Sequence, residues 1–232
     1  EPKTWLRFYA WERPTASLGR SQFAEETVDA EACRRLGVDI VRRISGGKLV
    51  LHHKELTYAI CSSDTARFST TLQASYRLIS QGLIRGLQGL GVEATPARET
   101  PEYYARGLHP CFAGPAADEL EAGGRKIVGS AQKRAGARFL QHGSIPLGDA
   151  TDLLRAVAKA SPGGPVPGPA GLNGLLGREV GFGELAGHLA VGLAAFFGVR
   201  LVPTSLSPEQ RETADRLRRE RYENEDWTFR AA

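Results

Sequence analysis

The sequence contains no methionine and only three cysteines in 232 residues. Because it does not begin with methionine, we expect it to be a trimmed or processed form of a longer chain. Cys33, Cys61 and Cys111 lie far apart, and an odd number of cysteines without a CxxC pair argues against a disulfide framework and a structural zinc site. This cysteine usage and the lack of a signal-peptide pattern predict a protein of the reducing cytoplasm.

Long apolar runs and blocks of basic residues are absent as well. A membrane span needs about 20 consecutive apolar residues, and the most apolar segment, residues 185–199, is interrupted by His188, Gly192 and Gly198, among others. The net charge is +4, and the basic residues are interspersed with acidic and apolar ones. Such a surface does not indicate binding to nucleic acid or to a membrane, but it suits an acidic partner such as a small carrier protein.

What the sequence does contain is the composition of a globular protein, with 41% hydrophobic and 24% charged residues. Strand and helix patterns are mixed without strict alternation. We therefore predict an α+β fold in which a mixed, largely antiparallel sheet is packed by helices, with residues 1–232 forming a single domain. The predicted strands are residues 5–11, 38–44, 48–52, 56–61, 125–128, 138–147 and 199–202; the predicted helices are residues 29–36, 70–90, 151–160, 180–197 and 208–222; residues 17–22 and 161–170 are predicted loops, and residues 119–124 the end of a strand and a turn.

Two adjacent glycines at positions 46 and 47 join two of the predicted strands and are typical of a β-hairpin turn. A second interpretation is a ligand-binding loop, because a backbone without side chains lets a ligand approach closely. Arg43 before the glycines and His52 after them supply a cation and an imidazole for such a loop. His52 and His53 point to opposite faces of a strand, so we do not expect them to hold one metal ion together.

The segment of residues 111–147 gathers residue types that acyl-transfer chemistry uses. Cys111 follows a proline, Lys126 lies in a short apolar run, the small residues 129–132 predict a turn, and His142 lies in a second apolar run. A thiol, a cation that keeps it ionised, and backbone amides for an oxyanion would form such a site. Taken singly, the residues have plainer interpretations: a buried thiol, a surface lysine and a hydrogen-bonded strand histidine.

Three blocks of sequence occur in a recognisable order: RRISGGKLVLHHKELTY at residues 42–58, GGRKIVGSAQKR at residues 123–134 and FLQHGSIPL at residues 139–147. They resemble the signature blocks of the lipoate/biotin attachment family, which contains lipoate-protein ligases and octanoyltransferases. Residues 7–22 and 221–230 resemble the opening and closing blocks of that family, so the resemblance covers nearly the whole chain. It implies the α+β catalytic domain of the family, without the strand and helix that usually precede the opening block. Two residues depart from the pattern: Lys48 stands in place of an expected arginine, and His53 in place of an expected aspartate.

The pair Cys111-Phe112, upstream of the second block, resembles the cysteine-dependent octanoyltransferase branch. The resemblance implies that Cys111 is the nucleophile for an octanoyl group from octanoyl-acyl carrier protein. The implied acceptor is a lysine of a lipoyl domain or of a glycine-cleavage H-type protein. Lys126 would keep the thiol ionised and accept a proton from the incoming amine, with no metal and no other cofactor. The implied substrate-binding residues are Arg43, Gly46, Gly47 and His52 on one side of the pocket, Gly129, Ser130 and Ala131 at the oxyanion, and His142 and Gly143 on the far wall.

Three other functions are compatible with the same residues. In an ATP-dependent lipoate-protein ligase, which uses ATP and magnesium, Lys126 would contact the acyl-phosphate and Cys111 would be incidental. A lipoyl or octanoyl amidotransferase would take its acyl group from another protein domain. A non-catalytic module would bind acyl carrier protein without turnover.

Overall fold

The computed structural model describes residues 3–68, 71–100, 110–113, 118–159 and 171–229. Within these ranges the chain forms strands, helices, a 3₁₀ turn at Cys111–Ala113 and a π-helical turn at Arg218–Tyr222. The strands are β1 (Thr4–Tyr9), β2 (Thr15–Leu18), β3 (Asp39–Arg42), β4 (Val50–His52), β5 (Glu55–Ser62), β6 (Thr95–Pro96), β7 (Leu120–Ala122), β8 (Arg125–Ala135) and β9 (Arg138–Pro146). The helices are α1 (Ala24–Thr27), α2 (Ala30–Leu36), α3 (Leu72–Gly89), α4 (Thr151–Val157), α5 (Leu172–Leu176), α6 (Phe182–Phe197), α7 (Pro208–Leu217) and α8 (Glu225–Phe229).

The strands form two sheets. The larger sheet has six strands in the order β1-β5-β9-β8-β7-β6, and all its described pairs are antiparallel. The smaller sheet has the order β3-β2-β4, in which β2 is parallel to β3 and antiparallel to β4. The predicted α+β class with largely antiparallel pairing is confirmed, although the strands divide between two sheets.

The predicted hairpin at Gly46-Gly47 is wrong. The strands β3 and β4 do not pair with each other, because β2 lies between them. Part of β2 comes from the region predicted as the loop of residues 17–22. All four residues of β2 are buried, and the polar–apolar alternation of its sequence extends over only four residues, the shortest run that indicates a strand.

Two further local predictions are wrong. Residues 129–132 do not form a turn: β8 continues through them to Ala135 and pairs with β9, with Ser130 opposite Gly143. The chain reverses instead at Gly136, whose φ of +58° favours glycine. Residues 199–202, predicted as a strand, are irregular.

Capping residues mark several of the helix ends. Asp29 caps α2 by accepting a hydrogen bond from the Ala32 amide, and Gly37 ends this helix in the left-handed conformation. Ser207 and Gln210 form a reciprocal capping box at the start of α7. The start of α3 predicted at residue 70, like the predicted loop of residues 161–170, lies outside the described residues; the cap observed is Thr71.

Each sheet has its own apolar core. One core packs the larger sheet against α3 and α6 and includes Tyr58, Leu83 and Leu189. The other packs the smaller sheet with α1, α2 and α4 and includes Leu18 and Val157. A cavity is lined by residues of β4 from the smaller sheet and of β8 and β9 from the larger one, so it lies where the two sheets meet.

The contact between α3 and α6 depends on glycine. A β-carbon on Gly192 would lie 2.2 Å from the backbone nitrogen of Gly86. We expect Gly192→Ala to lower the free energy of unfolding by about 2 kcal/mol, because the two helices must separate to admit a methyl group. Urea denaturation followed by circular dichroism measures this change.

The same helix supplies a matched control. A β-carbon on Gly187 would meet nothing within 4 Å, so Gly187→Ala should raise the free energy of unfolding by about 0.5–1 kcal/mol through helix propensity. A destabilisation of equal size in both variants would contradict the close helix contact at Gly192.

Candidate active site

Cys111 lies in the 3₁₀ turn, and its backbone is hydrogen-bonded to the residue that precedes β4 of the smaller sheet. Its amide donates a hydrogen bond to the Leu49 carbonyl at 2.7 Å. Its side chain packs in a small apolar cluster with Val50 and Phe112, and the residue is 8% exposed. The thiol therefore has a fixed position at the wall of the cavity.

Lys126 contacts Cys111, the residue whose thiol the family resemblance implies that it keeps ionised. The Lys126 ammonium donates to the Cys111 carbonyl at 2.7 Å and lies 3.1 Å from the Cys111 sulfur. It also pairs with a carboxylate oxygen of Glu119 at 2.5 Å. Burial alone would lower the pKa of Lys126, but the nearby Cys111 sulfur and the Glu119 carboxylate together raise it above its usual value. Lys126 is thus a buried cation directed at the thiol, not a surface lysine.

A β-bulge separates Lys126 from the residues that follow it. Leu120 of β7 pairs with Val128, whereas the next residue, Glu121, pairs with Lys126. Ile127 is therefore an extra residue in β8, and an extra residue shifts the alternation of side chains along the strand by one position.

Gly129 allows β8 to pass close to the thiol. A β-carbon at this position would lie 3.1 Å from the Cys111 sulfur and 3.2 Å from the Lys126 side chain. The next residue, Ser130, shares a hydrogen bond of 2.7 Å with the Tyr58 hydroxyl. Because successive amides of a strand point to opposite edges, the pairing with β9 engages only alternate amides of residues 129–131. Beyond Val128, the described residues place no strand on the other edge of β8.

His142 and Gly143 lie opposite these residues on β9. The Nε2 atom of His142 is 2.6 Å from the Ser45 hydroxyl. Burial, with the charges of Arg43 and His52 adding to it, lowers the pKa of His142 to about 4, so this imidazole is neutral at pH 7. Gly143 has no room for a side chain, since a β-carbon would lie 2.5 Å from the Tyr58 ring.

Arg43 turns back onto the loop that follows β3. Its guanidinium donates to the Ser17 carbonyl at 2.7 Å, to the Gly46 carbonyl at 2.9 Å and to the Lys48 carbonyl at 2.7 Å. These bonds fix the backbone around Gly46 and Gly47. Arg43 and Gly47 line the cavity, while Gly46 lies at the exposed tip of the loop.

His52 is held by a buried carboxylate. Its Nδ1 atom lies 2.7 Å from Glu55, and its ring stacks on Trp11 with 4.2 Å between the ring centroids. Glu55 also accepts hydrogen bonds from the hydroxyls of Thr57 and Ser144. The imidazole of His52 is therefore oriented from two sides.

The cavity has a volume of about 300 Å³, at the lower end of the range for small-molecule pockets. It brings together every predicted site residue except Gly46, at the loop tip, and Lys126, which contacts Cys111. Sequence reasoning assigned no role to five lining residues: Lys48, Val50, Thr100, Glu119 and Ser144.

Glu119 and Lys48 are the most informative of these missed residues. A glutamate at the end of a predicted strand gives no sign that it is buried and ion-paired. Lys48 carries a weak signal, because it departs from the family pattern. Burial lowers the pKa of Lys48, the Cys111 sulfur acts in the opposite direction, and the Lys126 charge lowers it further.

The described residues hold neither a metal-binding cluster nor a membrane-spanning helix. Among the described ranges, no group of three or more histidine, cysteine, aspartate or glutamate side chains is arranged to hold a metal ion. None of the helices in those ranges has the length and apolar character needed to cross a membrane.

Comparison with known proteins identifies the family. The family model described as the lipoyl protein ligase A/B catalytic domain matches residues 1–173. The chain belongs to this family, and the resemblance seen in the sequence blocks is confirmed.

Particular relatives are octanoyltransferases named LipM. The chain is 39% identical to LipM of Carboxydothermus hydrogenoformans, over 97% of this chain and 86% of the relative. It is 36% identical to LipM of Geobacillus kaustophilus over the same shares.

The fold is that of solved lipoate-protein ligases. A bipartite lipoate protein ligase from Thermoplasma acidophilum matches with a TM-score of 0.82 and 21% identity, over 99% of this chain and 85% of that one. A lipoate-protein ligase A bound with ATP matches with a TM-score of 0.82 and 24% identity, over 99% and 87% of the two chains.

From the low pKa of His142 we predict how the free energy of unfolding depends on pH. Between pH 6.5 and pH 4 the unfolded chain protonates this histidine and the folded chain does not, so stability falls as the pH falls through this window. The loss from this group is about 3 kcal/mol. In His142→Asn we expect a smaller decrease in the free energy of unfolding between these pH values, measured by urea titration.

Measurements at pH 7 to 8 provide the internal control, because His142 is neutral there and the two proteins differ only by the substitution itself. Parallel stability curves for the two proteins from pH 8 to pH 4 would contradict a buried neutral His142.

Proposed function

We propose that this chain is an octanoyltransferase of protein lipoylation that carries the octanoyl group on Cys111. The LipM relatives, similar over 97% of this chain, support the octanoyl substrate. One observation carries the cysteine route: the Cys111 sulfur lies 3.1 Å from the buried ammonium of Lys126, at the wall of a cavity. Ammonium groups favour thiolates, which are the nucleophilic form of cysteine.

In the first half-reaction, the Cys111 thiolate attacks the carbonyl carbon of octanoyl-acyl carrier protein. The new carbon–sulfur bond forms, the bond to the carrier sulfur breaks, and the released carrier thiolate takes up a proton. The backbone amides of residues 129–131 that do not pair with β9 are the donors that we assign to the tetrahedral oxyanion.

In the second half-reaction, a neutral lysine amine of the acceptor attacks the octanoyl thioester. The carbon–nitrogen bond forms, and the bond to the Cys111 sulfur breaks to restore the thiol. Burial of the octanoyl chain in the cavity contributes about 0.8 kcal/mol for each methylene group. One side of the octanoyl chain is bounded by the loop that contains Arg43, Gly46 and Gly47, with His52 beside it. The neutral His142 and the backbone of Gly143 form the opposite wall.

The donor, the acceptor and the cell compartment are part of the proposal. A net charge of +4 suits an acidic carrier protein. For the acceptor we propose a lipoyl domain or a glycine-cleavage H-type protein; the bipartite ligase from Thermoplasma acidophilum was solved in a study with its E2 lipoyl domain. The thioester route requires no ATP, magnesium or other cofactor. The described cysteines form no disulfide, which supports a cytoplasmic location.

We also propose that residues 1–232 act as one catalytic domain. The last helix is bound to the rest of the fold through Arg42, whose guanidinium donates to the carbonyls of Trp227 and Thr228 at 3.1 Å and 3.0 Å. The Trp227 indole donates in return to the Arg42 carbonyl at 2.8 Å.

Mass spectrometry of the intact protein tests the proposal. After incubation with octanoyl-acyl carrier protein, without ATP or magnesium, we expect the wild type to gain one octanoyl group. Cys111→Ala should gain none, because it lacks the nucleophile. Cys61→Ala is the matched control: Cys61 is an exposed thiol, and this variant should be octanoylated like the wild type.

Each other outcome points to a different function. An adduct that forms only from free octanoate or lipoate with ATP would favour a lipoate-protein ligase. An adduct that forms only from an octanoylated or lipoylated protein domain would favour an amidotransferase. Binding of the carrier protein without any adduct would indicate a non-catalytic module.

A further inference from the structure

The Lys126 ammonium has an acceptor for each of its N–H groups. An ammonium has three such groups, and here they are directed at a Glu119 carboxylate oxygen, the Cys111 carbonyl and the Cys111 sulfur. The Lys126 side chain is 1% exposed and that of Glu119 is 7% exposed. The bonds to Glu119 and to the Cys111 carbonyl leave the remaining N–H group aimed at the sulfur.

The charge balance of this cluster changes during the proposed reaction. Before acylation, Lys126 faces the Glu119 carboxylate and the Cys111 sulfur, which is an anion when the thiol attacks. In the octanoyl-enzyme the sulfur belongs to a neutral thioester, while the Glu119 carboxylate remains paired with Lys126. A buried ammonium without a counter-charge would lose its proton.

We propose that Glu119 is a positioning residue that keeps Lys126 an ammonium directed at the Cys111 sulfur in both half-reactions. Lys126 then acts as a fixed positive charge and does not accept the proton of the acceptor amine, the role that the sequence resemblance implies for it. This inference rests on the proposed function, because it concerns the octanoyl-enzyme.

The protons balance without a change at Lys126. When the acceptor amine attacks, the carbon–nitrogen bond forms and the carbon–sulfur bond breaks, which leaves a thiolate on Cys111. The proton from the attacking nitrogen passes to this sulfur. The lysine ammonium stabilises the sulfur while it carries negative charge, and the thiol is restored.

Other ionisable groups surround the cluster and stay unchanged in the test. Lys48 from the loop before β4 lies near both Cys111 and Lys126, and Tyr76 of α3 lies near Glu119 and Cys111. Arg43, His52 and His142 line the same cavity. Their effects on Cys111 are common to the wild type and the variant, so a difference between the two proteins reports on Glu119.

The first test is the pH dependence of Cys111 alkylation by iodoacetamide in the resting enzyme. In Glu119→Gln the sulfur loses a neighbouring negative charge, and its thiolate becomes the anionic partner of Lys126. We expect the midpoint of the alkylation profile to move to lower pH, by about one unit. A purely structural role for Glu119 would displace Lys126 and move the midpoint to higher pH or leave it in place. Cys61→Ala is the background in both proteins, so that the exposed thiol is not counted.

The second test isolates the octanoyl-enzyme and follows octanoyl transfer to a lipoyl domain. Here Glu119→Gln should be slower by about tenfold or more, because Lys126 no longer keeps its charge beside the thioester. The resting thiol thus becomes ionised more readily while the transfer becomes slower. Lys126→Arg is the second variant: a guanidinium cannot act as a base, so transfer by this variant at more than about a tenth of the wild-type rate supports a fixed charge.

The outcomes separate the two proposals. A normal octanoyl adduct with an unmoved or raised alkylation midpoint in Glu119→Gln would overturn the role of Glu119 alone. Unchanged transfer from the octanoyl-enzyme of this variant would do the same. Absence of an octanoyl adduct on the wild type would overturn the proposed function, and with it the role of Glu119 in the octanoyl-enzyme.

Discussion

The buried charge of Lys126 is the constraint on which the arrangement of the site depends. An ammonium removed from water costs several kcal/mol unless it is paired and hydrogen-bonded. Its partners come from different parts of the chain: Glu119 from the segment before β7, and both the carbonyl and the sulfur of Cys111 from the 3₁₀ turn. The amide of Cys111 also donates a hydrogen bond to the Leu49 carbonyl, directly before β4 of the smaller sheet. Satisfying one charge therefore fixes the position of the thiol relative to both sheets.

Two adjacent arginines organise the smaller sheet around this site. Arg42 is fully buried and donates to five carbonyl groups, three of them in residues 19–22 and two in the last helix. Arg43 points the other way, as neighbouring strand residues do, and bonds the carbonyls of the loop that lines the cavity. Guanidinium groups suit this role because their donors form a rigid fork. One arginine thus joins distant segments, and the next shapes the loop.

The sequence was most informative where a local rule or a block of residues determines the structure. The helix ends at Asp29, Gly37 and Ser207 follow from the chemistry of their side chains or of glycine. Cys111 and Lys126 were identified through the resemblance of whole blocks, since neither residue is distinctive alone. The failures concern strand pairing: the insertion of β2 between β3 and β4 depends on contacts between distant residues, which no local pattern contains. The burial of Glu119 is of the same kind, because its partner follows in another strand.

At some glycines the structure leaves no room for a β-carbon, and this limits which residues the family's sequences can have at those positions. A β-carbon on Gly19 would lie 1.9 Å from the Gly47 carbonyl, and one on Gly143 would lie 2.6 Å from the Ser130 hydroxyl. Glycines such as Gly183 have open space around the same atom. A comprehensive substitution library would therefore divide the glycines into two groups by tolerance. The intolerant group would mark the cavity wall and the helix contact, and would trace the site without any knowledge of its chemistry.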